Sequence, residues 1–323
     1  MCRALAMQET SHTAPKFRIK LTIRRPTMQH TPQSVRPKGP PPANHVSALV
    51  RRASTAVIFV LVMLAGLFGG RYSFICLFAI ITALCLWEYL SMVLNRYTRR
   101  DFTRMVLGVG FGLTPFVLAS ILHMKPMGFG DQFIIITSVL FFPFIFLAFV
   151  YELFSGSARP FQNVSFIVLG MVYIGAPFAL LGFIAFEGDK FNSWIVFGLL
   201  LLTWMNDTGA YLVGSNFGRR MLFPRISPKK TWEGTIGGVV ITFITAASFC
   251  AFSGELRLFD WMVLAAFVSV FGTLGDLVES MLKRSVGVKD SGNLLPGHGG
   301  VLDRFDAFIF VLPFAAAYLL SIR

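Results

Sequence analysis

Two pairs of acids stand three residues apart near the C-terminal end of the chain: Asp276 with Glu279, and Asp303 with Asp306. On a helix this spacing puts both side chains of a pair on one face. Carboxylates held that close repel unless a cation or proton separates them. Lys283, four residues after Glu279, could serve as that cation in a plain salt bridge. A divalent metal is the other candidate, and hard oxygen ligands suit Mg²⁺, which prefers one or two carboxylates plus phosphate. The segment between the pairs, residues 283–300, holds five Gly, one Pro and the cations Lys283, Arg284 and Lys289 within 18 residues. Such backbone turns tightly and offers N–H groups to an anion. Acids beside a basic, glycine-rich loop suit phosphate-plus-metal chemistry. A plain basic loop would account for the Lys and Arg, but not for the acids or the run His298-Gly299-Gly300.

A second basic stretch runs from Ser215 to Gly234 and contains Arg219, Arg220, Arg225, Lys229 and Lys230. Lys229 and Lys230 are placed to hold phosphates or, more simply, to anchor the loop. Asp207 lies within an apolar run, in Thr203-Trp204-Met205-Asn206-Asp207-Thr208. A charge at that depth is costly and points to a polar cavity. Glu88, in Trp87-Glu88-Tyr89, reads equally as an interfacial residue among aromatics or as a functional acid.

The elements that must carry these groups are membrane helices. Of 323 residues, 55% are hydrophobic and 14% are charged, against about 25% charged in soluble domains. Mean hydropathy is +0.67. This excludes an ordinary soluble enzyme and a disordered chain. Apolar runs of spanning length, about 20 residues, predict nine helices over 54–70, 73–94, 104–124, 132–154, 163–186, 193–214, 233–253, 258–282 and 304–321. The fold class is therefore an all-α polytopic integral membrane protein. Residues 1–46 read as a disordered basic tail, and 47–323 as the helical transmembrane catalytic domain, with its densest chemistry in 276–306. With the tail cytosolic, 24 of the 29 Lys and Arg fall on the cytosolic side, as the positive-inside rule requires. The tail suits anionic lipid, so the lipid bilayer is an expected partner and no nucleic acid is. The four cysteines, Cys2, Cys76, Cys85 and Cys250, form no CxxC pair, and three lie in apolar runs. Neither a disulfide nor zinc is expected.

The stretch Ser280-x-Leu-Lys-Arg-x4-Lys-Asp-x-Gly-x2-Leu-Pro-x-His-Gly-Gly-Val-x-Asp-Arg-Phe-Asp306 resembles the signature of phosphatidate cytidylyltransferases, the CDP-diglyceride synthetases. The block Ser227–Gly234 and the run Asp207-x2-Ala210-Tyr211 resemble the same family, with Ser215 standing where a basic residue is more usual. The similarity covers about residues 50 to 323 in layout and is dense from 204 onward. It implies that CTP and phosphatidic acid give CDP-diacylglycerol and pyrophosphate with Mg²⁺, and that K⁺ sits beside the Mg²⁺ in related members. It also implies that Asp276 and Asp303 are metal ligands, and that the enzyme is a helical homodimer.

The chemistry of the residues agrees with that implication. A phosphate oxygen is already anionic and needs no strong base, so catalysis would rest on positioning and charge neutralisation. Lys283, Arg284, Lys289 and Arg304 suit the pyrophosphate leaving group. Glu279 and Asp306 suit supporting or second-cation roles. His298 suits a phosphate contact or the shaping of the loop, and Asp207 suits a polar cavity for the lipid head group. Two other readings compete. A CTP-dependent polyprenol or phytol kinase would move the γ-phosphoryl group instead, and an ion-coupled transporter would use Asp207, Asp276 and Glu279 as a relay. The expected location is a bacterial inner membrane, with the active site facing the cytosol.

Overall fold

A computed structural model describes residues 45–94, 99–124, 146–188, 190–295 and 299–323. Residues 1–44 of the expected tail, the first part of the expected fourth helix and His298 therefore lie outside the described residues. The described chain is mostly helical, with two short hairpins and the loop between Ser285 and Leu302 as its main departures. Its helices are α1 (His45–Phe68), α2 (Arg71–Val93), α3 (Arg99–Met124), α4 (Phe146–Ser155), α5 (Pro160–Ala185), α6 (Trp194–Phe217), α7 (Trp232–Ser253), α8 (Leu258–Ser285) and α9 (Leu302–Ile322). Strands β1 (Phe186–Glu187) and β2 (Lys190–Phe191) pair between α5 and α6. Strands β3 (Met221–Phe223) and β4 (Ser227–Thr231) pair between α6 and α7.

Seven of these helices, α2, α3 and α5 to α9, are long and apolar enough to cross a membrane. The apolar part of α1, residues 53–68, and α4 as described are shorter. The architecture is that of an all-α polytopic membrane protein. The helix α1 begins at His45, nine residues before the apolar run that predicted it, because a helix continues through polar sequence until something stops it. Between α1 and α2 the chain turns at Gly69-Gly70, where Gly70 has φ 105°.

The core is threaded by α9. Its Leu302, Phe305, Phe308, Val311, Leu312 and Ala315 are all at most 1% exposed, and Phe305 stacks edge-on against Phe178 of α5 with ring centres 6.0 Å apart. Within α5 the backbone widens to a π-helical turn at Met171–Gly175. Pro177 follows and has no N–H to return to the carbonyl four residues earlier, so the wider turn accompanies that missing bond. A second such turn, Val268–Gly272, interrupts α8 just before Asp276.

The most extensive helix–helix contact is between α6 and α7. A Cβ placed on Gly234 would come within 2.8 Å of the Ala210 carbonyl oxygen and 3.0 Å of the Gly214 Cα. Small residues on both helices let the backbones approach, as is common where lipid supplies no hydrophobic drive. One position departs from expectation. Arg104, counted by sequence as a solvated loop cation, lies inside α3, 5% exposed, and pairs with Asp101 and with Glu152 of α4. A buried charge requires such partners.

Candidate active site

The C-terminal end of α6, the hairpin β3–β4, the first turn of α7, the second half of α8 and the first turn of α9 meet around one cavity of about 510 Å³. Of the two basic loops singled out by sequence, 215–234 supplies wall residues, whereas 283–300 supplies none among its described residues. The hairpin is fixed to α7 by local chemistry. Glu233, in the first turn of α7, accepts the backbone N–H of Arg219 (3.0 Å) and of Arg220 (3.1 Å). The Thr231 hydroxyl caps the same helix by accepting the Gly234 N–H at 3.2 Å. With the strand so held, Lys229 and Lys230 of β4 both line the cavity.

The cavity wall carries four carboxylates, Asp207, Asp276, Asp303 and Asp306, and three cations, Lys229, Lys230 and Arg304. Opposite charges are already joined. The Lys230 ammonium donates to Asp276 at 2.5 Å, linking β4 to α8. Lys283 donates to Glu279 at 2.6 Å and to Asp303 at 2.7 Å, linking α8 to α9. Asp276 also accepts the Ser280 hydroxyl at 3.3 Å. Asp303 is further held by the N–H groups of Gly300 (2.9 Å) and Ser291 (3.1 Å), so its orientation is set by the glycine-rich loop. Gly299, with φ 83°, supplies the turn that aims the Gly300 N–H at that carboxylate, a conformation other residues resist.

Of the residues chosen by sequence, Asp207, Lys229, Lys230, Asp276, Asp303, Arg304 and Asp306 are brought together on the cavity wall. Glu279 and Lys283 stand behind it, at 0% and 9% exposure, and do not line it. This is the salt bridge considered from the spacing, extended to a third group, Asp303. Arg284 and Lys289 are exposed and lie off the wall. Arg284 instead closes its own loop by donating to the Val288 carbonyl oxygen at 3.0 Å. Sequence reading met Tyr211 only within the run Asp207-x2-Ala210-Tyr211 and passed over Thr235 and Thr273; all three also line the cavity. Their signal was only a polar group within about one turn of an acid on the same helix.

Whether these groups suit a divalent ion can be judged from the donors. They are hard carboxylate oxygens, the right kind for Mg²⁺. Among the described residues no three His, Cys, Asp or Glu side chains converge into a ready cage. The wall therefore fits an ion that brings most of its own ligands, as Mg²⁺ on a nucleotide phosphate does, and it does not fit an all-protein cage. Two ammonium groups now occupy carboxylate oxygens that such an ion would take.

A family profile described as the cytidylyltransferase family matches residues 50–322. The chain is 44% identical over 172 residues to a phosphatidate cytidylyltransferase of Bacillus subtilis, covering 53% of this chain and 63% of that protein. It is 35% identical over 268 residues to one of Staphylococcus haemolyticus, covering 81% and 95%. It is 34% identical over 274 residues to one of Staphylococcus saprophyticus, covering 84% and 99%. The match runs through every element that builds the cavity, and the chain belongs to the cytidylyltransferase family.

Proposed function

We propose that this protein transfers a cytidylyl group from CTP to phosphatidic acid, giving CDP-diacylglycerol and pyrophosphate for phospholipid synthesis. The observation that carries the reading is the convergence of Lys229, Lys230 and Arg304 with Asp276, Asp303 and Asp306 on one cavity at the helix ends. The names of the relatives support the substrate pair.

In the reaction an oxygen of the lipid phosphate forms a bond to the α-phosphorus of CTP. The bond from that phosphorus to the β-phosphate oxygen breaks, and pyrophosphate leaves with its electron pair. No strong base is needed, because the attacking oxygen is already anionic. The protein's work is to align two polyanions and offset their repulsion. Lys229 and Lys230 hold the nucleotide phosphates from the hairpin, and Arg304 faces them from α9. Asp207 and the neighbouring Tyr211 bound the side of the cavity formed by α6, where the lipid head group lies. Asp276 and Asp303 would hold Mg²⁺, with Asp306 beside them and K⁺ as a second cation, and the chemistry that Mg²⁺ would supply there is neutralisation of charge on the phosphates. Lys283 keeps Glu279 and Asp303 in register behind the wall. Arg284 and Lys289 lie off the wall and contribute positive charge from the 283–300 segment to the departing pyrophosphate.

The catalytic unit spans residues 47–323, and residues 1–46 are a basic tail outside it. The enzyme works as a homodimer in a bacterial inner membrane, with the cavity open to the cytosol where CTP resides. Bacterial relatives and the distribution of Lys and Arg support this placement. The test is purified protein with CTP, phosphatidic acid and Mg²⁺. CDP-diacylglycerol with pyrophosphate is the expected pair. CDP with a newly phosphorylated lipid would mean a lipid kinase instead.

A further inference from the structure

We infer that Glu88, on α2 and outside the cavity, is the positioning residue that sets the glycine-rich loop and the first turn of α9, and through them Asp303. The inference rests on the proposed reaction for its activity readout, but its geometry stands independently.

Glu88 is 2% exposed, deep in the bundle and not at its rim. Its Oε2 accepts the Ser291 hydroxyl at 3.1 Å and the Leu302 N–H at 2.8 Å. These contacts join residues more than 200 positions apart. The N-terminus of α9 otherwise lacks a cap: its N-cap residue is Val301, with no side-chain hydrogen bond. A helix start leaves N–H groups unsatisfied and attracts negative charge. Glu88 supplies both the acceptor and the charge from another helix.

The same loop residue is held from two directions. The Ser291 hydroxyl goes to Glu88, and its backbone N–H goes to Asp303. Across the loop, Gly300 donates its N–H to Asp303 and Leu302 donates to Glu88. Two carboxylates thus pin both ends of one loop. The sequence makes room for this: a Cβ on Gly292 would fall 2.7 Å from Glu88 Cδ, and one on Gly300 would fall 2.5 Å from Glu88 Oε2. Glycine at both positions lets the carboxylate enter. The first turn of α9 carries Asp303 and Arg304 and the next begins with Asp306, so the placement of the helix start sets three groups of the cavity wall.

The test uses the full chain in detergent with Glu88→Gln, Glu88→Leu and Ser291→Ala. The readouts are kcat and KM for CTP, amide hydrogen exchange over 286–306, and thermal unfolding. Glu88→Gln keeps an acceptor at the same reach and should retain turnover within about 10-fold, the neutral hydrogen bond being weaker than the charged one. Glu88→Leu keeps bulk and removes the acceptor. Its kcat should fall by about 10²-fold, the cost of roughly an ångström of misplacement, with KM for CTP changed far less and exchange over 286–306 accelerated. Ser291→Ala removes one of the two hydrogen bonds and should accelerate the same exchange, which decides the matter if Glu88→Leu does not fold. Full turnover in Glu88→Leu, equal loss in Gln and Leu with exchange still slow, or unchanged exchange in Ser291→Ala would each overturn the assignment. If the wild type makes no CDP-lipid, the proposed reaction fails, while the exchange data still decide the clamp.

Discussion

Lys283→Met separates two roles that the sequence leaves open for this lysine. Methionine keeps most of the stem and removes the ammonium. In the structure that ammonium lies 2.6 Å from Glu279 and 2.7 Å from Asp303. Its loss strands Glu279, 0% exposed with Oε1 already lacking a partner among the described residues, and leaves Asp303 with the N–H groups of Gly300 and Ser291 but no cation from Lys283. Removing one member of a buried pair costs about 3–5 kcal/mol, and here two partners are left. On the scale of about 2–4 °C per kcal/mol for domains of comparable size, unfolding should fall by on the order of 10 °C. Adding Glu279→Gln removes one stranded charge and should restore about half of that loss, a coupling expected only between groups in contact. The assay is a melting curve in detergent for wild type, both single variants and the double variant, with initial rates on the same preparations. A Lys283→Met protein that melts like wild type yet loses turnover would refute this reasoning and return Lys283 to the pyrophosphate.

Asp303→Asn should insert and fold, with a smaller drop in melting temperature than Lys283→Met, because Lys283 keeps Glu279; turnover should fall by at least about 10²-fold, read as initial rate against Mg²⁺ concentration. Gly234→Val should force α6 and α7 apart at the Ala210 carbonyl and cost about 1–3 kcal/mol, seen as a lowered melting temperature with loss of activity. In a cysteine-free background, single cysteines at Ser215 and Asn293 should label from the cytosolic side and one at Lys190 from the opposite side. Labelling of Asn293→Cys from the Lys190 side would break the proposed orientation.

Much of this arrangement was legible in sequence because membrane helices announce themselves by apolar runs. The spans from α5 to α9 fall within a few residues of their expected bounds. The acids of the site were legible for the converse reason: Asp207, Asp276 and Asp306 interrupt apolar sequence, where charge is costly. What could not be read was pairing across the chain. Nothing local shows that Lys230 reaches Asp276, that Arg104 lies inside a helix against Glu152, or that Glu88 reaches a loop more than 200 residues away. Charge density in the loop 283–300 likewise overstated its share of the site, since Arg284 and Lys289 carry the right chemistry but lie off the wall. Spacing identifies which groups can act; only the packing of α6, α8 and α9 selects those that share a cavity.

The contact between Lys230 and Asp276 has a consequence for the order in which this protein fills. The contact leaves each group capacity for a second partner, since an ammonium has three donors and a carboxylate two oxygens, but it offsets the charge that either would present to a ligand. If Asp276 holds Mg²⁺ as proposed, its carboxylate would attract Lys230 less, and Lys230 would be more available to a phosphate. A phosphate that draws Lys230 away equally bares Asp276 for the ion. The two occupancies are then thermodynamically linked, and each must raise the affinity for the other by the same factor. On that proposal, the metal and nucleotide together would bind this cavity more favourably than the sum of the two alone.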